Sequence, residues 1–277
     1  MAERSIVSRS AESHWRKFET FVAERSAPEW VFRGHSDSAW KLRPKIGRED
    51  ILGPWDPAAE ISLFEEFCRR ARQFEAGVEF TYWDWLALAQ HYGLPTRLLD
   101  WTENPLVAAY FAMASNERRS AEIISVRVRD RDYLHMSGGP IPVEPDIPSV
   151  ETEWTWDVRP TPFSAMSWPP WTGAVAFIRP LIRASRMISQ RGVFSVHLSP
   201  DREWLGFKQA RESKGQDQGA FGQTDPYAAL PRFTVPAAFK PHFRMRLASL
   251  GVDASSIMAD LGGLCDALEW RYRNREV

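Results

Sequence analysis

Apolar residues change their period several times along this chain, and the changes mark out helices and strands of a mixed α+β fold. From Glu12 to Glu24, Trp15, Phe18, Phe21 and Val22 recur at helical spacing, which predicts an amphipathic N-terminal helix packed on the body. Asp56-Pro57 opens a second helix with Ile61, Phe64, Phe67, Cys68, Ala71 and Phe74 on one face and Gly77 as its stop. Thr81-x-x-Asp84 matches a capping box, so Tyr82 to His91 is the next helix, with Trp83 and Trp85 as packing anchors. Gly93-Leu94-Pro95 breaks it, and a turn leads into a short strand. Asn104 is a natural N-cap and Pro105 fits the first helical position, which predicts a helix over Leu106 to Ala114.

Strand patterns complete the core. Trp30-Val31-Phe32 runs into Arg33-Gly34-His35, Glu122 to Val128 alternates, and Gly173 to Ile178 and Val193 to Leu198 read as strands, with a helix over Pro180 to Gln190 before the last. Phe233 to Arg273 suits two helices, Pro236 to Leu250 and a run capped by Asp253 that reaches Tyr272. Gly262-Gly263 inside the second weakens it or allows a close neighbour. The expected organisation is an α+β domain over 1–230 with a helical C-terminal appendage over 231–277 packed on it. Two stretches lack periodicity. One is the proline- and tryptophan-rich Asp130 to Thr172, which suits a lid or a core plug, and the other is the polar Gln209 to Thr224, an exposed loop.

Composition narrows the function. In 277 residues, 44% of them hydrophobic, there is enough apolar material for a large core. Lys+Arg 35 against Asp+Glu 36 leaves a net charge of −1, so no global field favours nucleic acid. Cys68 and Cys265 lack metal-ligand spacing and fall on apolar helix faces, as buried small hydrophobes in a reducing compartment do. The histidines form no zinc pattern, so no metal is expected. No apolar run reaches membrane length and the N-terminus has no hydrophobic signal core, which predicts a cytoplasmic protein with no membrane partner.

Charge then concentrates attention on Gln90 to Ala112, QHYGLPTRLLDWTENPLVAAYFA, where Arg97 and Asp100 sit in an otherwise apolar setting. His91, Arg97, Asp100 and Thr102 are expected to cluster where a strand meets a helix N-terminus, favourable ground for an anion. The competing reading is a buried Arg97–Asp100 ion pair that fixes the loop. Arg33, beside Gly34 and His35, offers a planar fork for phosphate or carboxylate, and Gly34 permits close backbone approach; alternatively Arg33 pairs with an internal carboxylate. Arg186 and Gln190 lie four residues apart on one helix face, and Arg191 is either a third anion ligand or, as is usual for a charged residue at a helix end, a solvated side chain.

The segments F-R-G-H-S-D at Phe32–Asp37, Q-H-Y-G-L-P-T-R-L-L-D-W-T at Gln90–Thr102 and Q-R-G-V-F at Gln190–Phe194 together resemble the FRG-domain family of bacterial proteins, over roughly Glu29 to Leu198. A second resemblance is to the ADP-ribosyltransferase fold, a small split sheet whose three strand motifs surround NAD. Arg33-Gly34, Asp100–Thr102 with Ala108-Ala109-Tyr110-Phe111-Ala112, and Gln190 occupy the three places in order. This resemblance implies Arg33, Asp100, Thr102 and Gln190 as catalytic residues and Gly34, His35, His91, Arg97 and Arg186 as binding residues, with NAD as substrate. The position two residues after Gln190, where transferases of that fold usually carry glutamate, is Gly192, so Asp100 is the candidate for the negative charge. Three classes of function follow: an NAD-cleaving enzyme, implied by the family to be a toxin or anti-phage effector with its acceptor open; a nucleotide-binding module without catalysis; or a protein whose polar cluster only locks the fold.

Overall fold

A computed structural model describes residues 2–75, 80–129, 133, 175–179, 190–206 and 230–274, with side chains from residue 8 onward. The mixed α+β architecture is as expected. Six strands form one antiparallel sheet in the order β4-β5-β2-β1-β3-β6: β1 Trp30–His35, β2 Leu98–Thr102, β3 Ala121–Arg127, β4 Val175–Ile178, β5 Gly192–His197 and β6 Arg232–Val235. Around it lie α1 Ala2–Ala23, α2 Glu49–Leu52, α3 Pro57–Ala71, α4 Tyr82–His91, α5 Pro105–Met113, α6 Lys240–Ser249, α7 Ala254–Met258 and α8 Leu261–Arg273.

Local signals set many of these boundaries. Thr81 and Asp84 form the reciprocal capping box of α4, and Asn104 accepts the Leu106 N–H at 2.9 Å before Pro105 opens α5. Alternation along the strands separates the core into three clusters. Phe32 packs with α1, α5 and the C-terminal helices, and Leu98 packs on the same sheet face with α3 and α4. Val31, Leu99, Trp101 and Phe177 lie on the opposite face with Leu42 and Trp204. The first two clusters sit side by side on one face, and a cleft opens between them.

The sheet is loosely joined at its centre. β1 and β2 share one registered pair, Phe32 opposite Thr102, whereas β1 and β3 are in register along all of β1. Past Phe32 the two central strands part. Gly34 faces α5 there, and a Cβ at that position would lie 2.0 Å from the Ala108 carbonyl oxygen and 2.7 Å from the Ala112 nitrogen. The close approach that the glycine permits is therefore that of α5, whose Ala108 and Ala112 are equally small.

The C-terminal segment departs from the all-helical expectation. It begins with β6, which pairs with β3, and its Phe243, Leu247, Ala254 and Ile257 join the same core cluster as Trp15 and Phe32. Arg232-Phe233-Thr234-Val235 is a short edge strand, and so brief an alternation is easily absorbed into the helical pattern after it. The single helix expected after Asp253 is broken at Ala259, which adopts φ 52°, and Asp260 caps a new helix. Gly263 explains the turn, since a Cβ there would lie 2.5 Å from both the Ala254 oxygen and Met258 Cβ. The small face of α8, Gly263 and Ala267, packs inward, so Cys265 is exposed rather than buried. Phe74 is likewise 78% exposed, because α3 ends at Ala71 before reaching it. Gly77, residues 180–189 of the expected helix, the Asp130–Thr172 stretch apart from Tyr133, and the Gln209–Thr224 loop lie outside the described residues.

Candidate functional site

The cleft holds about 410 Å³ and is lined by residues from all three motif segments: Arg33 and Gly34 from β1, Gln90 and His91 from α4, Asp100, Trp101 and Thr102 from β2, and Gln190 just before β5. Phe32, Val107, Ala108 and Phe111 form apolar wall, and Trp40, Ser36 and Ser115 stand along the rest. Such a mixture of apolar wall and few convergent polar groups is typical of small-molecule sites.

Arg33 is the central cation. By strand alternation it starts on the face of Val31, opposite the cleft. Its guanidinium turns into the gap between β1 and β2, where Nη1 donates to the Asp100 carbonyl oxygen at 2.7 Å and lies 3.7 Å from Asp100 Oδ2. Its Nε donates to His35 Nε2 at 3.2 Å. Burial lowers the Arg33 pKa, and the neighbouring Asp100 charge opposes that shift.

Asp100 presents its carboxylate to the cleft, with 59% of its side chain exposed. Gln90 Nε2 donates to Oδ2 at 2.9 Å, while Thr96 Oγ1 donates to Gln90 Oε1 at 2.6 Å, which fixes the amide. Oδ1 has no partner among the described residues. A carboxylate oriented through one oxygen and open at the other can meet developing positive charge.

Other expected site residues have different tasks. Arg97 is a correction: it is 4% exposed, it is absent from the cleft wall, and its Nε and Nη2 each donate to Glu60 at 2.7 Å. The carboxylate it bonds is that of Glu60 on α3, where the sequence reading offered Asp100. Burial required a carboxylate aligned with both nitrogens, and α3 supplies one. The signal lay in Glu60 itself, an acid on the helix stripe of Phe64 and Cys68.

His35 is also corrected from binding residue to support. It is 2% exposed, lies off the cleft wall, and accepts the Arg33 Nε hydrogen, so its own proton resides on Nδ1. Burial, with the Arg33, Arg48 and Arg232 charges, holds its pKa down to about 3. Thr102 donates to the Gln190 carbonyl at 2.6 Å and receives the Asn104 N–H, and Gln190 Nε2 reaches the Ile257 oxygen at 3.4 Å. Both residues line the cleft, yet the Thr102 hydroxyl ties β2 to the segment before β5, and the Gln190 amide ties that segment to α7. Gly192 stands opposite Thr102 in the ladder. Arg191 is exposed, with φ 46°. Arg186 lies outside the described residues.

A deeper network underlies the opposite face. Trp101 Nε1 donates to Ser195 Oγ at 2.9 Å, and that oxygen lies 2.9 Å from His197 Nε2. His197 is fully enclosed, and burial with the Arg33 and Arg97 charges holds its pKa down to about 3. Sequence reading also missed Lys240, 2% exposed, whose Nζ donates to the carbonyls of Ser36, Ser115 and Asn116 at 2.8, 2.9 and 2.9 Å. It lies on the stripe of Phe243 and Leu247, a placement that marks a lysine with buried work.

Among the described residues, no group of three potential ligands is placed to hold a metal ion, and no helix is long and apolar enough to cross a membrane. No curated protein and no solved structure matches the chain. Residues 28–121 match a family model, which takes in β1, β2, α5 and the cleft walls they carry but stops short of the Gln190 segment. The chain therefore carries an FRG domain over residues 28–121.

Proposed function

We propose that the cleft binds a nucleotide, NAD in the first instance, and that Asp100 stabilises the positive charge on the ribose as the nicotinamide bond breaks. The observation that supports this is the convergence of Arg33, His91, Asp100, Thr102 and Gln190 on one open cavity with an unpartnered carboxylate oxygen. In the reaction the C–N bond breaks with its electron pair leaving on neutral nicotinamide. The oxocarbenium-like ribose is then attacked by water, or by an acceptor nucleophile that loses its proton. Arg33 holds the Asp100 backbone in place and contributes positive charge towards a phosphate or ribose oxygen. The setting implied by the FRG resemblance is that of a bacterial cytoplasmic toxin or anti-phage effector.

A second reading, nucleotide binding without turnover, is favoured by one observation. Thr102 and Gln190 have polar groups committed to internal hydrogen bonds, and Gly192 supplies no carboxylate. Labelled NAD separates the two. Nicotinamide release by the wild type, lost in Asp100→Ala and Arg33→Ala, supports the enzyme. Binding without release leaves the module, and absence of both removes both readings.

A further inference from the structure

Beyond Gly34, β1 delivers Ser36 to the cleft wall, where Ser115, just past the end of α5, also stands. Ser115 Oγ and Ser36 Oγ are 2.8 Å apart, and Asn116 Nδ2 donates to Ser36 Oγ at 3.1 Å. Asn116 adopts φ 52°, a left-handed conformation that asparagine tolerates, and this aims its side chain back at Ser36. Beneath them the Lys240 ammonium gathers the three nearby carbonyls, and neither hydroxyl bonds to any of them.

The two hydroxyls carry two hydrogens, and their mutual bond uses one. The bond from Asn116 adds a hydrogen to the pair and takes none away. Whichever serine donates to the other, one hydrogen is left on an oxygen of the cleft wall, with no acceptor among the described residues. The two serines thus present a spare donor hydrogen on the cleft wall, and Asp100 Oδ1 presents a spare acceptor on the same cleft.

We propose that the Ser36–Ser115 pair donates its spare hydrogen to an oxygen of the ligand, a carboxamide carbonyl or a phosphoryl oxygen. The assignment rests on the nucleotide reading of this cleft.

The test is calorimetric titration of NAD, ADP-ribose and nicotinamide into the wild type and a Ser36→Ala/Ser115→Ala variant, with melting temperatures recorded. The variant should bind NAD roughly tenfold more weakly, the loss expected for one hydrogen bond to a ligand oxygen. A parallel loss for ADP-ribose identifies a phosphoryl oxygen, and a parallel loss for nicotinamide identifies the carboxamide. If the double variant melts early, Ser36→Ala and Ser115→Ala made singly give the reading: the serine that carries the spare hydrogen weakens NAD binding when removed, and unchanged affinity in both overturns the assignment. Ser115→Thr should restore affinity. Unchanged NAD affinity in a folded variant overturns the serine assignment and leaves the nucleotide reading intact. If the wild type binds none of the three probes, the nucleotide reading falls and the serine assignment falls with it.

Discussion

Arg33 Nη1 donates to the main-chain carbonyl of Asp100 at 2.7 Å, across the gap where the two central strands stop pairing. A side chain thus performs the bonding that a ladder would have performed, and it does so at the edge of the cleft. Lysine in its place cannot serve Asp100 and His35 together, because it lacks the fork. Arg33→Lys should lower stability by about 1.5–3 kcal/mol, the range for a lost hydrogen bond to a charged group. Urea unfolding measures this, and an unchanged midpoint would contradict the strapping role.

The Arg97–Glu60 pair is enclosed, so breaking it strands a charge. Arg97→Met alone should cost about 3–5 kcal/mol, while Arg97→Met with Glu60→Leu should recover much of that loss. Chemical denaturation of the three proteins decides it. If the double variant is as unstable as the single, the cost is one of packing and not of an orphaned carboxylate.

Two buried histidines make the fold acid-sensitive. His35 and His197 have folded pKa values of about 3 against an ordinary 6.5, so the unfolded chain takes up protons that the folded chain refuses. Stability is therefore full above pH 6.5 and declines as pH falls towards 3, by about 2 kcal/mol for each histidine at pH 5. His197→Gln should flatten part of that slope. A stability that does not change between pH 7 and pH 5 would refute both assignments.

Gly34→Ala should fail to fold or lose the cleft. The new methyl meets backbone atoms of Ala108 and Ala112, which cannot move without lifting α5 from β1. A soluble variant with wild-type melting temperature would show that the helix has slack. The same change at Gly262, where Asp260 Oδ1 at 3.3 Å is the near neighbour, should be mild.

The cysteines should differ in reactivity. Burial pushes the Cys68 thiol up to about 12, while Cys265 is exposed on α8. A thiol reagent at pH 8 should modify Cys265 alone in the native protein and both cysteines in urea. Native labelling of Cys68 would place α3 differently.

Caps, turn residues and period were enough to locate α4, α5 and the central strands, because those signals act within a few residues of the elements they shape. Thr81 with Asp84 and Asn104 with Pro105 needed no distant partner. The sequence also singled out Arg33 and Asp100, whose side chains do meet in space. It could not show which buried charge answers which. Arg97 lies 3 residues from Asp100 in the chain and 37 from Glu60, yet it bonds to Glu60. Nor could it show that His35 supports the site from behind the sheet, or that Lys240 reaches under Ser36 from a helix 204 residues away. Those pairings depend on how strands are registered and how closely α5 and α6 settle on them. Local pattern fixes an element and the direction its side chains face, but the partner of a buried polar group is chosen by whatever surface the rest of the chain brings against it.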